Sequence, residues 1–338
     1  MSRIIIYILN SHELRQLISV CLLLSVLLGV LGCGRRESVT VLRLAHTLDT
    51  AHPVHSAMES MAASLKELSG GSMELRLYPG GILGSERETI ELLQLGAIDV
   101  VKTSTSPLEG FIPGMAVFGI PYLFRDEEHF WNVLNGDIGK ELLHLGTHRK
   151  IRGLCYYDAG SRSFYTKDRP VRSPQDLQGL KIRVQNSRTS IRMIEAMGGA
   201  ATPISFGELY TALDQGVVDG AENNPPSLLT SRHYEICKYY SLDEHTRVPD
   251  VLLVGTETWD RLSDVQRAWL QEAADLSVSV QRSLWAVKTR ENMDQLTAAG
   301  VEIIHPDKSS FQEAVKELHQ SFAETEAGPW MEAVLNHP

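Results

Sequence analysis

Strand patterns and helix patterns alternate along residues 38–102, and this alternation restricts the fold more than any other feature of the chain. The segments 38–46 and 73–79 read as strands, and 52–71 between them has apolar residues at helical spacing before a Gly-Gly stop. Ser85 and Glu88 form a capping-box pattern at the start of a second helix, which turns at Gly96 into a third strand. This order predicts a parallel sheet covered by helices, which is an α/β fold.

A second cycle of strands and helices begins near Gly160. Strand patterns cover 162–167, 180–184 and 216–222, and helix patterns cover 188–197 and 206–215. Residues 263–299 then keep a helical pattern without an internal Pro or Gly. A helix of that length exceeds the usual range in globular proteins, so we predict that it spans two domains as a strut.

The N-terminal 32 residues have the order of an export signal. Arg3 and Arg15 precede an apolar run over 17–31, which ends at Gly32 and Cys33. A small residue followed by Cys at this point resembles the lipobox of bacterial lipoproteins. We therefore predict a lipoprotein-type signal peptide over residues 1–32, lipidation of Cys33, and a location in the periplasm or on the extracytoplasmic face. An ordinary signal peptide and a retained signal anchor are the alternatives.

The charge of the chain excludes one class of partner. The net charge of the 338 residues is −10, and removal of residues 1–32 takes away two arginines and one glutamate, which leaves −11. No basic stripe accompanies this acidic balance, so we predict no nucleic-acid partner. Small anions stay possible ligands, because a few focused arginines can outweigh distant surface charge.

The motifs of common cofactor and catalytic sites are missing from the sequence. It has no Walker loop, no G-x-G-x-x-G and no G-x-S-x-G nucleophile elbow. His52 with His55, and His144 with His148, are spaced to share helix faces, but neither pair has the H-E-x-x-H arrangement or a third ligand. We interpret them as helix-surface or capping histidines, and we predict no metal and no cofactor.

The cysteines that follow the signal segment are few. Cys155 falls in a predicted strand and Cys237 in a predicted helix. Two isolated cysteines do not make a disulfide framework, so both are predicted to be buried free thiols.

Two arginines and one asparagine are candidates for anion binding. Arg162 follows Gly160 among small residues, and Arg183 lies 21 positions later on a strand whose apolar residues alternate with polar ones. Parallel strands could aim both guanidinium groups at one carboxylate, but spacing alone favours two unrelated surface arginines. Asn223, at the end of a strand, could donate to a ligand or cap the helix that begins at Pro225.

An ordered set of motifs resembles the solute-binding proteins of TRAP transporters (tripartite ATP-independent periplasmic transporters), dicarboxylate-type family. The motifs are "GLKIRV" at 179–184, "ATP" at 201–203, Phe206, "ELYTALDQ" at 208–215 and "VDGAEN" at 218–223. The resemblance extends upstream through "LYPGGILGSERE" and "VFGIPYLFRDEEHF", and downstream through "HYEICKYYSLDEH" to the long helix. It covers essentially the whole chain after the signal segment.

The resemblance implies a two-domain periplasmic-binding-protein-like fold with a hinge and a long domain-spanning helix. Domain I would comprise residues 33–159 and 250–288, and domain II would comprise 160–249 and 289–338. The domains would close over an organic acid anion and deliver it to integral-membrane subunits. The chain would act as a monomer and catalyse no reaction.

The family's ligand contacts map onto single positions of this sequence. The resemblance implies that Arg183 forms the salt bridge to the ligand carboxylate, that Arg162 assists, and that Asn223 also contacts the ligand. Phe206 would line the pocket, and Glu86 falls where some relatives hold hydroxyl groups.

Two further residues have expected roles near this pocket. His46, near the end of the first strand, is another candidate for ligand contact. Glu222 is expected to orient the arginines from behind the ligand site.

The sequence also departs from the family pattern. "VQNS" replaces the common Val-Pro after the arginine strand, and "ENNPPS" carries more amides than the usual "ENP". Extra amides and Glu86 favour a hydroxylated acid, because hydroxyls need donors and acceptors together. A sugar acid, either a uronate or an aldonate, is therefore the predicted ligand.

Three alternatives to this function stay open. The ligand could be a C4-dicarboxylate or another carboxylate. The chain could be a ligand-sensing module, or an enzyme that uses His46 or Tyr156 as a base, although no matched acid–base pair is visible.

Overall fold

The computed structural model describes Gln16, Ser19 and residues 39–338. The remainder of the predicted signal segment and Cys33 lie outside the described residues. The strands are β1 (Thr40–Ala45), β2 (Met73–Tyr78), β3 (Val100–Ser104), β4 (Ile151–Tyr157), β5 (Arg162–Thr166), β6 (Lys181–Val184), β7 (Ala200–Pro203), β8 (Gly220–Asn223), β9 (Tyr239–Thr246), β10 (Asp250–Gly255) and β11 (Glu302–Ile304).

Helices follow most of these strands. The α-helices are α1 (Pro53–Leu68), α2 (Glu86–Gln94), α3 (Thr105–Leu108), α4 (Glu127–Asn135), α5 (Asp137–His144), α6 (Arg188–Ala196), α7 (Leu209–Asp214), α8 (Pro225–Thr230), α9 (Thr256–Arg261), α10 (Asp264–Ala298), α11 (Ser309–Ala314), α12 (Lys316–Gln320) and α13 (Gly328–Asn336). Short 3₁₀ helices cover Pro113–Gly119, Thr147–Arg149, Pro174–Leu177, Phe206–Glu208 and His233–Glu235.

The first sheet has the strand order β2-β1-β3-β10-β4. Strand β1 pairs in parallel with β2 and with β3, as the alternation of strands and helices predicted. Strand β10 enters between β3 and β4 and is antiparallel to both. The chain therefore returns to this sheet after building most of the second one.

The second sheet has the order β11-β9-β5-β8-β6-β7. Strand β8 lies between β5, to which it is antiparallel, and β6, to which it is parallel. The start of β5 and the end of β8 therefore meet at one edge of the sheet, where Ser163 is opposite Asn223. The end of β6 lies at the same edge, because β6 runs in the direction of β8.

The long helix α10 contacts elements beside both sheets, as expected of a strut. It packs against α1 and β4 on one side of the molecule and against α8 on the other. A capping box of Ser263 and Gln266 begins it. At its centre Gln281 accepts from the backbone N–H of Asp158 at 2.7 Å and donates to the carbonyl of Asp158 at 2.8 Å. The helix therefore holds the chain at the point where it passes from β4 to β5.

The two cysteines of the described chain are buried free thiols, as predicted. Cys155 lies on β4, but the prediction of a helix around Cys237 was wrong. Cys237 follows the 3₁₀ turn His233–Glu235, and the chain then extends because Lys238 donates its backbone N–H to the carbonyl of Thr166.

The sheets have partly separate cores. One apolar cluster lies between the first sheet, α1 and α10, and another lies under the second sheet. The predicted domain boundaries stay a prediction. The C-terminal helix α13 lies beside α4 and α5, since His129 bonds through Nε2 to the carbonyl of Val334 at 3.1 Å. In the region from Val39 onward, no helix is long and apolar enough to cross a membrane.

Candidate ligand-binding site

A polar cavity lies where the edges of the two sheets face each other. It has a volume of about 30 Å³. The first sheet and its helices contribute Glu86, Lys102, Ser104 and Asp250 to the lining, and the second contributes Arg162, Gln185, Phe206, Asn223 and Asn224. Of the seven ligand-site and second-layer residues predicted from the sequence, Arg162, Asn223, Phe206 and Glu86 therefore lie on the cavity wall.

Arg183 is buried beside this cavity on strand β6 and is not part of its wall. Its Nε donates to the carbonyl oxygen of Ile204 at 2.8 Å, and its Nη1 is buried without a hydrogen-bond partner among the described residues. The guanidinium carbon is 5.9 Å from the centre of the Phe206 ring, which does line the cavity. Burial lowers the pKa of Arg183, because a buried charge loses its hydration.

Arg162 is held by Glu222, one residue before the end of β8. Its Nε donates to Oε2 of Glu222, and its Nη2 donates to Oε1 at 2.9 Å and to the backbone carbonyl at 2.8 Å. Burial opposes the charge on Arg162, but the attraction of Glu222 and its hydrogen bonds together outweigh burial and raise the pKa of the arginine. In the described part of the chain Glu222 bonds to Arg162 and not to Arg183, and its expected orienting role stays a prediction.

The carboxylate of Glu222 is itself stabilised by two cations. Burial would raise its pKa, but Arg162 and His245 hold it at about 2. The Nε2 of His245 lies 3.5 Å from Oε2 of Glu222, and its Nδ1 lies 2.7 Å from Oδ2 of Asp243. These two carboxylates outweigh the burial of His245 and raise its pKa to about 9.

The side chain of Asn223 is oriented by two donors. Its Oδ1 accepts from Nη1 of Arg162 at 3.0 Å and from the backbone N–H of Asn224 at 2.9 Å. Its Nδ2 is thereby left as the donor available to the cavity. The alternative role, capping α8, belongs to Asn224, whose Oδ1 accepts from the backbone N–H of Ser227 at 2.9 Å.

Glu86 reaches the cavity from the first turn of α2. Its Oε1 accepts from the backbone N–H of Ser104 at 2.9 Å and from the hydroxyl of Thr103 at 3.2 Å. The capping box of Ser85 and Glu88 fixes the start of this helix and so positions Glu86. The second carboxylate oxygen of Glu86 has no such bond in the described chain and is available as an acceptor.

Lys102 and Asp250 form a buried ion pair on the cavity wall that the sequence analysis missed. Their charged atoms are 2.7 Å apart across β3 and β10. Burial raises the pKa of Asp250 to about 6, although Lys102 acts in the opposite direction. The sequence held a signal, because Lys102 directly follows two valines and Asp250 directly precedes the apolar run Val251–Val254.

His46 is buried on the first-sheet side and is not among the residues of the cavity wall. Its Nε2 lies 3.0 Å from Nδ1 of His55. Burial, reinforced by Lys102 and His55, lowers its pKa to about 3, so it is neutral at physiological pH. His52 does line the cavity, and it caps α1 by accepting from the backbone N–H of Val54.

Direct contacts join the two sides of the cavity. The hydroxyl of Ser104 donates to Oε1 of Gln185 at 3.5 Å, and Nε2 of His52 lies 3.4 Å from the hydroxyl oxygen of Ser227. Within residues 39–338 no three His, Cys, Asp or Glu side chains are grouped to hold a metal ion.

Most charges around the cavity are neutralised in pairs. The pairs are Arg162 with Glu222, Lys102 with Asp250, and His245 with Asp243. Arg183 has no such acidic partner in the described chain. The buried positive charge of Arg183 is thus the one in this set that still requires an anion.

The sequence matches one protein family over most of its length. The model of "Bacterial extracellular solute-binding protein, family 7" matches residues 44–326. A solute-binding protein of Chromohalobacter salexigens is 35% identical over 275 residues, which cover 81% of this chain and 82% of that protein.

Solved structures also resemble the chain over most of its length. A TRAP periplasmic solute-binding protein from Anaerococcus prevotii with bound D-glucuronate has a TM-score of 0.86 and 37% identity, covering 88% of this chain and 98% of that one. A TRAP periplasmic solute-binding protein from a Bradyrhizobium species in complex with D-galacturonate has a TM-score of 0.85 and 40% identity, covering 87% and 99%. The two-domain fold with a long helix is shared with both.

Proposed function

Because the chain belongs to the bacterial extracellular solute-binding proteins of family 7, which serve TRAP transporters, we propose that its ligand is a hexuronate. The carboxylate of the sugar would bind Arg183, and its hydroxyl groups would bind the polar residues of the cavity wall. D-glucuronate and D-galacturonate, the ligands of the two solved relatives, are the leading candidates.

The buried Nη1 of Arg183 is the observation that carries this proposal. A guanidinium group presents paired N–H donors that match the two oxygens of a carboxylate. Leaving such a group buried without a partner is costly, so an anion at this position stabilises the protein around it. Phe206 lines the cavity, and its ring centre is 5.9 Å from the guanidinium carbon of Arg183, so we propose that this ring shifts as the ligand carboxylate enters.

The remaining polar groups suit a hydroxylated acid better than a plain dicarboxylate. Glu86 offers a free carboxylate oxygen as an acceptor, and Asn223 offers an amide N–H as a donor. Gln185 and Asn224 add further amide groups to the wall. A sugar hydroxyl both donates and accepts, so it can pair with each of these, whereas a methylene of a C4-dicarboxylate pairs with none.

Capture of such a ligand requires the cavity to open. Ligand pockets have volumes of about 300 Å³ or more, and the cavity has about 30 Å³. We therefore propose that the structure is a closed form and that the predicted domains, 33–159 with 250–288 and 160–249 with 289–338, separate by a hinge motion to admit the sugar. The contacts of Ser104 with Gln185 and of His52 with Ser227 would break on opening.

The location of the protein follows from the same assignment. Solute-binding proteins of this family act outside the cytoplasm, and lipidation of Cys33 would keep this one at the membrane beside the integral-membrane subunits. We propose further that the protein binds its ligand as a monomer.

Isothermal titration calorimetry with D-glucuronate, D-galacturonate, D-gluconate and succinate tests the proposal. We expect saturable binding of a uronate, loss of binding in Arg183→Ala, and weakened binding in Arg183→Lys, which keeps the charge without the paired donors. Arg172→Ala, which removes an exposed arginine paired with Glu302, is the control. The proposal is falsified if succinate alone binds or if Arg183→Ala keeps its affinity within a few-fold.

Two rival functions predict different results. A sensing module would bind the ligand but associate with a receptor kinase, so copurification with the TRAP membrane subunits separates it from a transport component. An enzyme using His46 or Tyr156 would consume the uronate, so unchanged recovery of the sugar after incubation excludes turnover.

A further inference from the structure

A second and larger cavity lies beside the segments of chain that join the two sheets. It has a volume of about 920 Å³, which is within the range of small-molecule pockets. Its wall is formed by α10, by the segment between β4 and β5, and by residues at the end of β9, and we name it the rear cavity. It is distinct from the candidate ligand site, because no residue lines both cavities.

The two joining segments separate the rear cavity from the ligand cavity. In the segment from β4 to β5, Ala159 and Arg162 line the ligand cavity, while Ser161 lines the rear cavity. In the segment from β9 to β10, Val248 lines the ligand cavity and Arg247 lines the rear cavity. Neighbouring residues of each segment thus belong to different cavities, and the two cavities lie back to back across these segments.

Three arginines on the wall of the rear cavity are available to an anion. Arg247 comes from the second joining segment, and Arg282 and Arg290 come from α10. Within the described chain none of the three forms an ion pair or donates a hydrogen bond to the protein. Arg282 is positioned by an aromatic ring, since its guanidinium carbon lies 4.0 Å from the ring centre of Trp131.

Most acidic side chains on the same wall already have contacts. Glu244 pairs with Lys308, and Oδ1 of Asp158 accepts from the backbone N–H of Gly160 at 2.8 Å. Of the wall's acidic residues, Glu127 alone has neither an ion pair nor a hydrogen bond in the described chain. Three unpaired guanidinium groups against one unpaired carboxylate leave a surplus of positive charge in the rear cavity.

The rest of the wall is largely apolar or already satisfied. Leu242, Trp285 and Met293 contribute apolar surface. The hydroxyls of Ser279 and Ser283 donate to carbonyls of their own helix, at 3.0 and 2.9 Å. An anion with an apolar body would cover this surface, whereas a small inorganic anion would leave it in contact with water.

We propose that the rear cavity binds a second organic anion, which carries two or more carboxylates on an apolar body. The carboxylates would bind Arg247, Arg282 and Arg290, because a guanidinium group presents paired N–H donors to two oxygens. The body would lie against Trp285. Such a ligand would connect the long helix to the second joining segment.

Occupation of the rear cavity should favour the closed form of the protein. If the joining segments act as the hinge, the rotation that opens the ligand cavity narrows the cavity on their other side. An anion that fits only the wide rear cavity therefore raises the affinity for the uronate, and the uronate raises the affinity for the anion by the same factor. This linkage rests on the proposed uronate function, whereas the rear site itself does not.

Isothermal titration calorimetry with trimesate, a benzene ring that carries three carboxylates, tests the site. We expect saturable binding, and none with benzyl alcohol, which has the ring without the charges. Arg247→Gln and Arg290→Gln should each weaken trimesate binding about tenfold. Arg172→Gln, at an exposed arginine outside both cavities, is the matched control and should bind like the wild type. Absence of saturable binding, or equal affinities for Arg247→Gln and the control, overturns the proposal.

Two further variants locate the bound trimesate, because a carboxylate could also enter the ligand cavity. Arg183→Ala should keep the wild-type affinity for trimesate. Ser283→Trp fills the rear cavity from an exposed helix position and should abolish trimesate binding while the melting temperature stays that of the wild type. Loss of trimesate binding in Arg183→Ala, or its retention in Ser283→Trp, would place the anion elsewhere and overturn the rear site.

A titration of trimesate in saturating D-glucuronate tests the linkage. We expect trimesate to bind several-fold more tightly than it does to the protein alone, and equal affinities would overturn the linkage. Failure of D-glucuronate to bind would instead count against the proposed uronate function, and the first titration would still decide the rear site.

Discussion

Arg162 and Asn223 meet across the edge of the second sheet, with Nη1 of the arginine donating to Oδ1 of the asparagine at 3.0 Å. Glu222 holds the arginine from the other side through Oε1 and through its backbone carbonyl. The asparagine amide therefore cannot rotate freely, and with Oδ1 engaged by the protein its Nδ2 stays available as a donor. The Nδ2 group of Asn223, which we propose as a ligand donor, is thus already oriented before any ligand binds.

Asn223→Asp should weaken uronate binding more than Asn223→Ala does. The aspartate can still accept from Arg162, but it replaces a donor with a negative charge facing an anionic ligand. We expect a loss of about 100-fold for Asp, since like charges placed together cost several kcal/mol. Calorimetry at neutral pH with D-glucuronate measures both variants, and equal affinities for Asp and wild type would contradict the orientation of the amide.

Glu86→Gln should lower the affinity for uronates about tenfold and leave the affinity for any dicarboxylate nearly unchanged. The glutamine keeps an oxygen for the backbone N–H of Ser104, so the local structure persists, but it removes the charged acceptor for a hydroxyl. Glu91→Gln, on the exposed side of the same helix, is the matched control. An equal loss for hydroxylated and plain acids would show that Glu86 acts on the cavity structure instead.

Lys102→Met should destabilise the protein by about 3–5 kcal/mol, because it leaves Asp250 buried without a partner. The double variant Lys102→Met with Asp250→Asn should be clearly more stable than Lys102→Met alone. Urea unfolding of the single and double variants measures the difference. A double variant no more stable than the single one would mean that the pair is not coupled.

Loss of the proton from His245, which is paired with Asp243 and Glu222, should make the folded protein less stable at alkaline pH. The pKa of His245 is raised from 6.5 to about 9 in the folded state, chiefly by Asp243 once burial has been overcome. Because the folded-state pKa is raised, protonated His245 stabilises the fold fully below about pH 6.5. This contribution is lost as the pH rises through about 9. The loss is on the order of 3 kcal/mol.

Comparison of wild type with His245→Asn isolates this effect from other titrating groups. The free energy of unfolding of the wild type should fall relative to the variant between pH 6.5 and 9, the range set by the folded-state pKa. A constant difference across that range would exclude His245 as the group responsible.

The fold could be predicted where neighbours in sequence are neighbours in space. The parallel pairing of β1, β2 and β3 and the bounds of α10 followed from local patterns, in α10 from a helical pattern without an internal Pro or Gly. The insertion of β10 between β3 and β4 did not, because no local pattern states that Asp250 will be opposite Ser104. For the same reason the partner of Lys102 could not be named, although a charge directly after two valines was visible.

The residues of the candidate site could likewise be predicted only where local sequence patterns determine them. Periodicity alone placed Arg183 away from the core, and only the family resemblance indicated that it faces a ligand. The structure buries the Arg183 side chain against the backbone of Ile204 and near the ring of Phe206, contacts that the pattern of the strand alone does not indicate. The two possible roles of Asn223 depended on whether it or Asn224 caps α8, a difference of one residue that helix-start patterns do not resolve.

The position of β10, which follows β5 to β9 in the sequence but pairs with β3 and β4, also limits the order in which the first sheet can form. Thr103 pairs with Val251 only after five strands of the second sheet, β5 to β9, have been made. Until then β3 and β4 lack the strand that joins them, so the first sheet cannot be completed from the N-terminal segment alone. Such non-local pairing slows folding. A chain that must cross a membrane before it folds would benefit from that delay, because translocation can finish while the sheet is still open.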